Sequence, residues 1–364
     1  MKFHGLRNIV TLLVVMVLFV LSIEITLRMI YKEFDLVPGW TSHDEYIPHA
    51  ELIYSGVKNR KYETKTDEFV ERVTTNSLGF RDGEINKKAS QTYRVLVVGD
   101  SFTFGHGISS NENTYPQKLE DYLKNALGKS KTKIEVFNLG VKGYSPDQEY
   151  RLITTKLVSY EPDLIIWTLS NPGDLFNLIH ASGWPVPALY DIKKKILIPK
   201  DARFNWLYAG KFIKLHTPAF IHTSFTFNLS FYFLSQTLLC NQKPYLPKKD
   251  FLNWAGDKLT LEIYDAGKIL GKKSIQLVVV VLPYPEVFLT ENDPREVVKK
   301  FSAVLTELKS HKIEVIDAYE EMSSNEKTNW KQYYHTIDYH PNDKGAEFFA
   351  SLVGNRIFKL LRLH

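Results

Sequence analysis

The chain of 364 residues is predicted to fold as an α/β protein, with a parallel β-sheet covered by helices on both faces. Short apolar runs recur along it, and strands buried on both faces of a parallel sheet have this near-continuous apolar character. Segments with a helical pattern alternate with these runs, as the connections of a parallel sheet require. Two of the runs end in loops rich in glycine, serine and asparagine, residues typical of functional loops at a sheet edge.

The composition is that of a packed globular protein, with 44% hydrophobic and 24% charged residues, which excludes disordered and collagen-like chains. Lys and Arg number 46 and Asp and Glu 41, so the formal net charge is only +5. Because no long basic run is present, a nucleic-acid partner is not indicated. The single cysteine, Cys240, excludes an internal disulfide and a cysteine-rich zinc site.

The N-terminal segment is predicted to be a membrane anchor. Ile9 to Ile23 carry no charge, and the apolar pattern continues to about Ile30. Lys2 and Arg7 precede this run, so the positive-inside rule places the rest of the chain outside the cytoplasm. We therefore expect residues 1–30 to form a cytoplasmic tip and one transmembrane helix. A cleaved signal peptide and a buried soluble helix remain as alternatives.

Beyond the anchor, residues 31–73 are polar and turn-rich and are predicted to be a linker to a domain over 74–364. Ser145 is expected to cap a helix, with Gln148 completing a capping box. The remaining elements follow from apolar periodicity. Strands are predicted at 94–99, 134–137, 163–169, 275–282 and 313–316, and helices at 115–127, about 251–271, 293–309 and 343–361.

An aromatic-rich insertion at about 180–250 interrupts this alternation. Its stretch from Leu215 to Gln242 contains no Asp, Glu, Lys or Arg. It is expected to pack on its own domain, and a lid over the site or a face resting on a membrane are the alternatives. A second transmembrane span is not predicted, because polar residues recur too often.

Residues with catalytic chemistry stand where strands are expected to end. Ser101 follows the first predicted strand directly, in the sequence G-D-S-F-T-F-G over residues 99–105. Serine is a weak nucleophile and needs a base, such as an imidazole oriented by a carboxylate. His340 and Asp338, near the C-terminus, supply these groups if the fold brings them to Ser101.

These motifs resemble those of the SGNH (GDSL-type) hydrolases. Residues 99–105 match the first block of that family, G-D-S-x-T-x-G, and residues 136–143 are similar to its second block. His340 and the Pro-Asn after it match the last block, and Asn76 to Asp82 resemble a leader found in membrane-anchored members. The similarity covers about residues 74–360. It implies a three-layer, flavodoxin-like fold and no cofactor.

The resemblance also implies roles for single residues. Ser101 would be the nucleophile and His340 the general base, and the backbone N–H groups of Ser101 and Gly143 would bind the oxyanion. Asn171 is expected to complete the oxyanion hole with its side chain. Here the family's usual Asn-Asp pair is replaced by Asn-Pro-Gly-Asp, so Asn171 as a simple turn-former stays open.

The carboxylate of the triad is a second departure from the family. It usually stands three residues before the histidine, a position that Ile337 occupies here, whereas Asp338 stands two before. Asp338 is predicted to orient His340 from this shifted position. A backbone carbonyl that orients the imidazole is the alternative.

The remaining polar residues are assigned structural roles. Asp100 is expected to hold its loop by hydrogen bonds, and His335 would replace His340 only if the last block were misassigned. The other scattered histidines are expected on the surface or in the core, and no residue spacing indicates a metal site. These other histidines are His106, His180, His216 and His222.

Together these features predict an exported, membrane-tethered serine esterase that acts on a short acyl ester, such as an O-acetyl group, through an acyl-enzyme. The expected substrates are acylated small molecules, glycans or lipids on the periplasmic or extracellular side. A polysaccharide O-acetyltransferase that uses the same triad is one alternative. A non-catalytic envelope-binding protein on the same fold is the other.

Overall fold

The computed structural model describes residues 2–30, 45–49, 52–128, 131–179, 188–191, 196–199, 248–289 and 295–362. The chain divides into two compact units, Met1–Pro48 with Phe204–Lys243, and His49–Arg203 with Pro244–His364. The second unit contains the large sheet and all predicted site residues, so the site is described within it.

The described part of the first unit consists mainly of helix α1, Lys2–Ile30. Its apolar side chains from Val10 to Leu21 are exposed, with Phe19 64% accessible. Among the described residues, no helix has both the length and the apolar character that crossing a membrane requires.

The strands and helices follow one another in mixed order along the chain. The strands are β1 Tyr46–His49, β2 Ile53–Gly56, β3 Lys61–Lys65, β4 Val70–Thr74, β5 Thr92–Gly99, β6 Lys133–Gly140, β7 Leu164–Asn171, β8 Ala188–Asp191, β9 Ile196–Pro199, β10 Gln276–Pro283 and β11 Glu314–Asp317. The helices after α1 are α2 Ser101–Phe104, α3 Tyr115–Leu127, α4 Pro146–Thr155, α5 Gly173–Ile179, α6 Lys248–Gly271, α7 Pro285–Leu289, α8 Glu296–Ser310, α9 Ala318–Glu321, α10 Ser324–Thr328 and α11 Asp343–Arg362.

Five of these strands form a parallel sheet in the order β6-β5-β7-β10-β11. Numbered along the chain, this is the order 2-1-3-4-5 of flavodoxin-like folds. The predicted parallel α/β architecture is therefore confirmed. The strand order reverses between β5 and β7, and the carboxyl ends of strands at such a point border a crevice in which ligands bind.

The buried side chains of the sheet point alternately to its two faces. On β5, Val95 and Val97 join a cluster with side chains of α3 and α11. Leu96 and Val98 lie between them in sequence, point to the opposite face and are fully buried as well. Each such side chain contributes about 1.5–3 kcal/mol by leaving water. The sheet is thus the middle of three layers, as its continuous apolar strands predicted.

An antiparallel hairpin of β3 and β4 occupies residues 61–74, nearly all of them in the predicted linker over 31–73. It is tied to the domain by Arg81, whose guanidinium is fully buried and pairs with the equally buried Glu71 of β4 at 3.2 Å. Arg81 also donates to the backbone carbonyls of Arg72 and Ile108, both at 2.9 Å. This hairpin reaches the site described below.

Most of the aromatic-rich insertion lies outside the described residues, including all of 200–247. The part that is described is the antiparallel pair β8 and β9. The three alternatives for the role of the insertion therefore stay predictions.

Candidate active site

Ser101 is the first residue of α2, directly after β5. The Asp100 carboxylate caps this helix by accepting the Phe102 N–H at 2.9 Å, and it also accepts the Ser170 hydroxyl at 3.1 Å. Burial raises the pKa of Asp100. Asp100 thus holds the loop by hydrogen bonds, as the sequence predicted.

Two glycines let α2 lie directly across the ends of β5 and β6. A Cβ on Gly140 would stand 2.2 Å from the Phe104 nitrogen, and one on Gly99 would stand 2.2 Å from the Thr103 Oγ1. Neither position has room for a side chain. The close approach of α2 keeps Ser101 next to the carboxyl ends of β5 and β6.

The structure brings together the three residues proposed as a triad. The Ser101 Oγ lies 2.8 Å from the His340 Nε2, although 239 residues separate them. The His340 Nδ1 lies 2.6 Å from the Asp338 Oδ1. Desolvation alone would raise the pKa of the Asp338 carboxyl, but the neighbouring imidazoles of His106 and His340 hold it well below its ordinary range.

The shifted position of Asp338 is accommodated by the residue that follows it. Tyr339 has a left-handed backbone, with φ +66°. This conformation costs a non-glycine residue roughly 1–2 kcal/mol, and it curls the chain so that Asp338 faces the imidazole two residues on. The segment is closed by the His335 N–H, which donates to the His340 carbonyl at 2.9 Å.

Glu68, in the β3–β4 turn, holds the segment that carries Asp338. Its carboxylate accepts the backbone N–H groups of Thr336, Ile337 and Asp338 at 2.7 to 2.8 Å. It also accepts the Thr336 hydroxyl at 2.7 Å. Both oxygens of Glu68 are thereby used to fix one short segment of backbone.

The residues expected to bind the oxyanion stand at the same edge of the sheet. Gly143 lies in the loop after β6 with φ +74°, and Asn171 is the last residue of β7. Since β6 and β7 flank β5, both positions border the Ser101 loop. Asn171 is 5% exposed, and its Oδ1 has no hydrogen-bond partner among the described residues. Their roles stay predictions.

His106 is a residue whose position the sequence did not predict. Its Nε2 lies 3.6 Å from the Asp338 Oδ2 and its Nδ1 lies 3.3 Å from the Glu71 Oε2. Its ring meets that of His340 edge-on, with the centroids 4.8 Å apart. Burial alone would lower the pKa of His106, but the two carboxylates raise it. The sequence predicts only a surface or core histidine here, because no spacing relates His106 to the motifs.

His335 does not replace His340 in the site. Its Nε2 lies 3.1 Å from the Gly107 carbonyl oxygen, and its ring contacts that of Phe69. His340 is the histidine that contacts Ser101.

One group of side chains in the described part of the chain has the composition of a metal site. It consists of His106, Asp338 and His340, with one potential ligand atom of each within 4.8 Å of the others. The contacts within this group connect it to the Ser101 hydroxyl, an arrangement suited to moving a proton.

Comparison with known protein families gives a match in the C-terminal part of the chain. Residues 256–363 match a family described as an SGNH hydrolase-like domain, acetyltransferase AlgX. This range includes Asp338, His340 and the whole of helix α11. No curated protein matches the chain.

Solved structures show a weaker likeness. One is an acetylxylan esterase from Geobacillus stearothermophilus, in a catalytic mutant, with 12% identity over 73% of this chain and 94% of that chain and a TM-score of 0.42. Another is a GDSL-like lipase from Bacteroides thetaiotaomicron VPI-5482, with 14% identity over 76% and 92% of the two chains and a TM-score of 0.38. A lipase/acylhydrolase from Enterococcus faecalis has 12% identity over 74% and 96%, with a TM-score of 0.39. Scores this low carry no weight for fold or activity, which rest on the sheet order and the site geometry.

Proposed function

We propose that this chain, which carries an SGNH hydrolase-like domain, is a serine enzyme that removes or transfers a short acyl group from an ester. The observation that carries the proposal is the continuous contact from Ser101 through His340 to Asp338, at 2.8 and 2.6 Å. Nucleophile, base and orienting carboxylate within hydrogen-bond reach of one another are the arrangement that activates a serine.

The reaction follows from these contacts. As the Ser101 Oγ attacks the ester carbonyl, its proton passes to the His340 Nε2, and the Asp338 carboxylate stabilises the imidazolium that forms. His340 then gives this proton to the leaving alcohol, and the acyl group remains on Ser101. An acceptor hydroxyl, deprotonated by His340, attacks the acyl-enzyme, and the proton returns to Ser101 as the acyl product leaves.

The oxyanion that forms in each step needs hydrogen-bond donors. We assign this role to the backbone N–H groups of Ser101 and Gly143 and to the Asn171 side chain, all near the carboxyl end of β5. Preorganised donors of this kind are worth about 3–4 kcal/mol each. The position of Asn171 at the nearly buried end of β7, beside the Ser101 loop, supports a functional rather than a turn-forming role.

The acceptor distinguishes an esterase from a transferase. Water as acceptor gives hydrolysis, and a sugar hydroxyl gives an O-acyl glycan. The description of the matched family as an acetyltransferase favours including the second possibility, with an O-acetyl group as the acyl unit.

The test is acyl-ester turnover by the purified full-length chain, measured with and without a glycan acceptor. Release of acid from a p-nitrophenyl acetate donor without acceptor would show an esterase. Acetylated glycan, with negligible hydrolysis in its absence, would show a transferase. Absence of turnover of acetyl, propionyl and butyryl esters in both conditions would contradict the proposed enzymatic activity and favour a non-catalytic envelope-binding protein.

We also propose that α1 anchors the chain to a membrane, with the catalytic domain outside the cytoplasm. The uncharged run of Ile9 to Ile23, the exposed apolar side chains of α1, and Lys2 and Arg7 before them support this. Sedimentation of the full chain with membranes, and its release by deletion of residues 1–30, would support the anchor. A mature N-terminus beyond residue 20 would instead show a cleaved signal peptide.

A further inference from the structure

We propose that His106 is a positioning residue that fixes the second oxygen of Asp338, so that the first stays on His340. His106 would be the second imidazole in a series of side-chain contacts that leads from Ser101 through His340 and Asp338 to His106 and Glu71. This inference rests on the proposed function, because it deepens the account of the same site.

The two histidines contact different oxygens of one carboxylate. The His340 Nδ1 approaches the Asp338 Oδ1 at 2.6 Å, and the His106 Nε2 approaches the Oδ2 at 3.6 Å. A carboxylate held at both oxygens cannot rotate away from either partner. Asp338 is 30% exposed, so water would otherwise compete for the second oxygen.

His106 is itself held on its far side. The His106 Nδ1 lies 3.3 Å from the Glu71 Oε2, and that oxygen also accepts the Lys142 ammonium at 3.0 Å. The other oxygen of Glu71 pairs with Arg81 inside the fold at 3.2 Å. The Phe69 ring packs edge-on against His106, with the centroids 5.3 Å apart. Glu71 is therefore a fixed point from which His106 is aimed at Asp338.

The charges around His106 indicate what it can contribute. Burial and the Lys142 ammonium oppose the imidazolium form of His106, and the carboxylates of Asp338 and Glu71 favour it. A charged His106 also disfavours the positive charge that His340 gains during the reaction. The contact can therefore promote catalysis by orienting Asp338 and not by strengthening the base.

Because His106 is proposed to act by orienting Asp338 and not through its own charge, its variants should show a specific pattern of activity. His106→Leu removes the contact, whereas His106→Gln keeps an N–H donor and no charge. We expect kcat to fall about 10- to 100-fold in His106→Leu with KM nearly unchanged, and to recover most of that loss in His106→Gln. A merely structural role would not produce this recovery by an amide.

His335→Leu is the matched control, because His335 also packs on Phe69 but contacts the Gly107 carbonyl instead of Asp338. It should keep the wild-type kcat, and thermal unfolding should show that all variants fold. Wild-type kcat in His106→Leu would overturn the inference. So would an equal loss in His335→Leu, or the same loss in His106→Gln as in His106→Leu.

A second measurement does not depend on turnover. In the full-length chain with ¹⁵N-labelled histidine, the ring resonances of His106 should titrate at higher pH than in the variants Glu71→Gln and Asp338→Asn. If neither change moved the titration of His106, its contacts with Glu71 and Asp338 would be contradicted. If the wild type turns over no ester but this shift is seen, the proposed function fails and the His106 contacts stand. If wild type is active and His106→Leu equals it, only the inference fails.

Discussion

At the scale of single residues, the site depends on how one aspartate reaches its histidine across one intervening residue. The motif resemblance located Ser101 and His340, but the family spacing pointed to position 337, which holds isoleucine. In the structure the left-handed Tyr339 turns Asp338 onto the His340 ring at 2.6 Å. The left-handed conformation of Tyr339 thus lets Asp338 reach the His340 ring from two residues away, where the family usually has three. Such a conformation has no signature in the sequence, since tyrosine adopts it rarely.

Replacement of the carboxylate tests the assignment of Asp338. Asp338→Asn should lower kcat by about 10⁴-fold, because an amide can stabilise the wrong tautomer of His340 and not the imidazolium. Steady-state kinetics on a short acyl ester, with thermal unfolding as the check on folding, measure this. Activity within tenfold of wild type would show that a backbone carbonyl orients the imidazole.

The backbone of Tyr339 gives a second prediction. Tyr339→Gly should keep kcat and should not lower the melting temperature, since glycine adopts a left-handed φ without steric cost. Tyr339→Val should lower both, because a β-branched residue resists that conformation. If the two variants behaved alike, the left-handed turn would not be what sets the Asp338 geometry.

At the scale of elements, the β3–β4 hairpin supports the site from outside the sheet. Glu68 fixes the backbone of 336–338, and Glu71 anchors His106. Both contacts join residues more than thirty positions apart, and the Glu68 contacts span about 270. The sequence predicted a polar linker here because charged residues fill half of the positions of β3 and β4, including the buried Glu71 beside the buried Val73 on one face of β4. The function of the hairpin could not be predicted, since it depends on tertiary contacts alone.

Removal of the Glu68 carboxylate tests this support. Glu68→Ala should lower kcat about tenfold through the loosened Asp338, comparable to losses seen when a supporting hydrogen-bonded group is removed. The melting temperature should change little, because the contacts lie near the surface. Asp67→Ala is the matched control, since Asp67 is adjacent in the same turn and makes no hydrogen bond to 336–338. Equal kcat in both variants would argue against the clamp.

Glu71 gives a prediction for stability against pH. Burial would raise the pKa of this carboxyl, but His106, Lys142 and Arg81 lower it to about 2, below its ordinary value of 4.5. The folded state therefore holds the charged form more strongly, and this stabilisation is complete above pH 4.5 and is lost as the pH falls toward 2.

The variant Glu71→Gln leaves Arg81 buried without its counter-charge and should lose about 3–5 kcal/mol of unfolding free energy near pH 7. Urea unfolding at several pH values should show that the difference from wild type narrows between pH 5 and pH 3. A constant difference over that range would mean that the charge of Glu71 does not contribute to stability.

At the scale of the whole molecule, the sheet order explains why distant motifs meet. The order β6-β5-β7-β10-β11 brings the carboxyl ends of β5, β6 and β7 together, and these carry Ser101, Gly143 and Asn171. The apolar runs predicted all five strands to within about two or three residues, and α3 was predicted over the residues it occupies. Local periodicity sufficed because each strand is buried on both faces. The Asp338 turn and the β3–β4 contacts could not be predicted, because long-range packing determines them.

The claim that unites these scales is that Ser101 carries the acyl group between donor and acceptor. Intact-mass spectrometry of the full-length chain, quenched shortly after mixing with an activated acetyl ester, tests it directly. The wild type should gain the mass of one acetyl group, which peptide mapping places on Ser101, and Ser101→Ala should gain none there and show no turnover. Turnover by Ser101→Ala at the wild-type rate, or acetylation of the wild type only at other residues, would contradict the account.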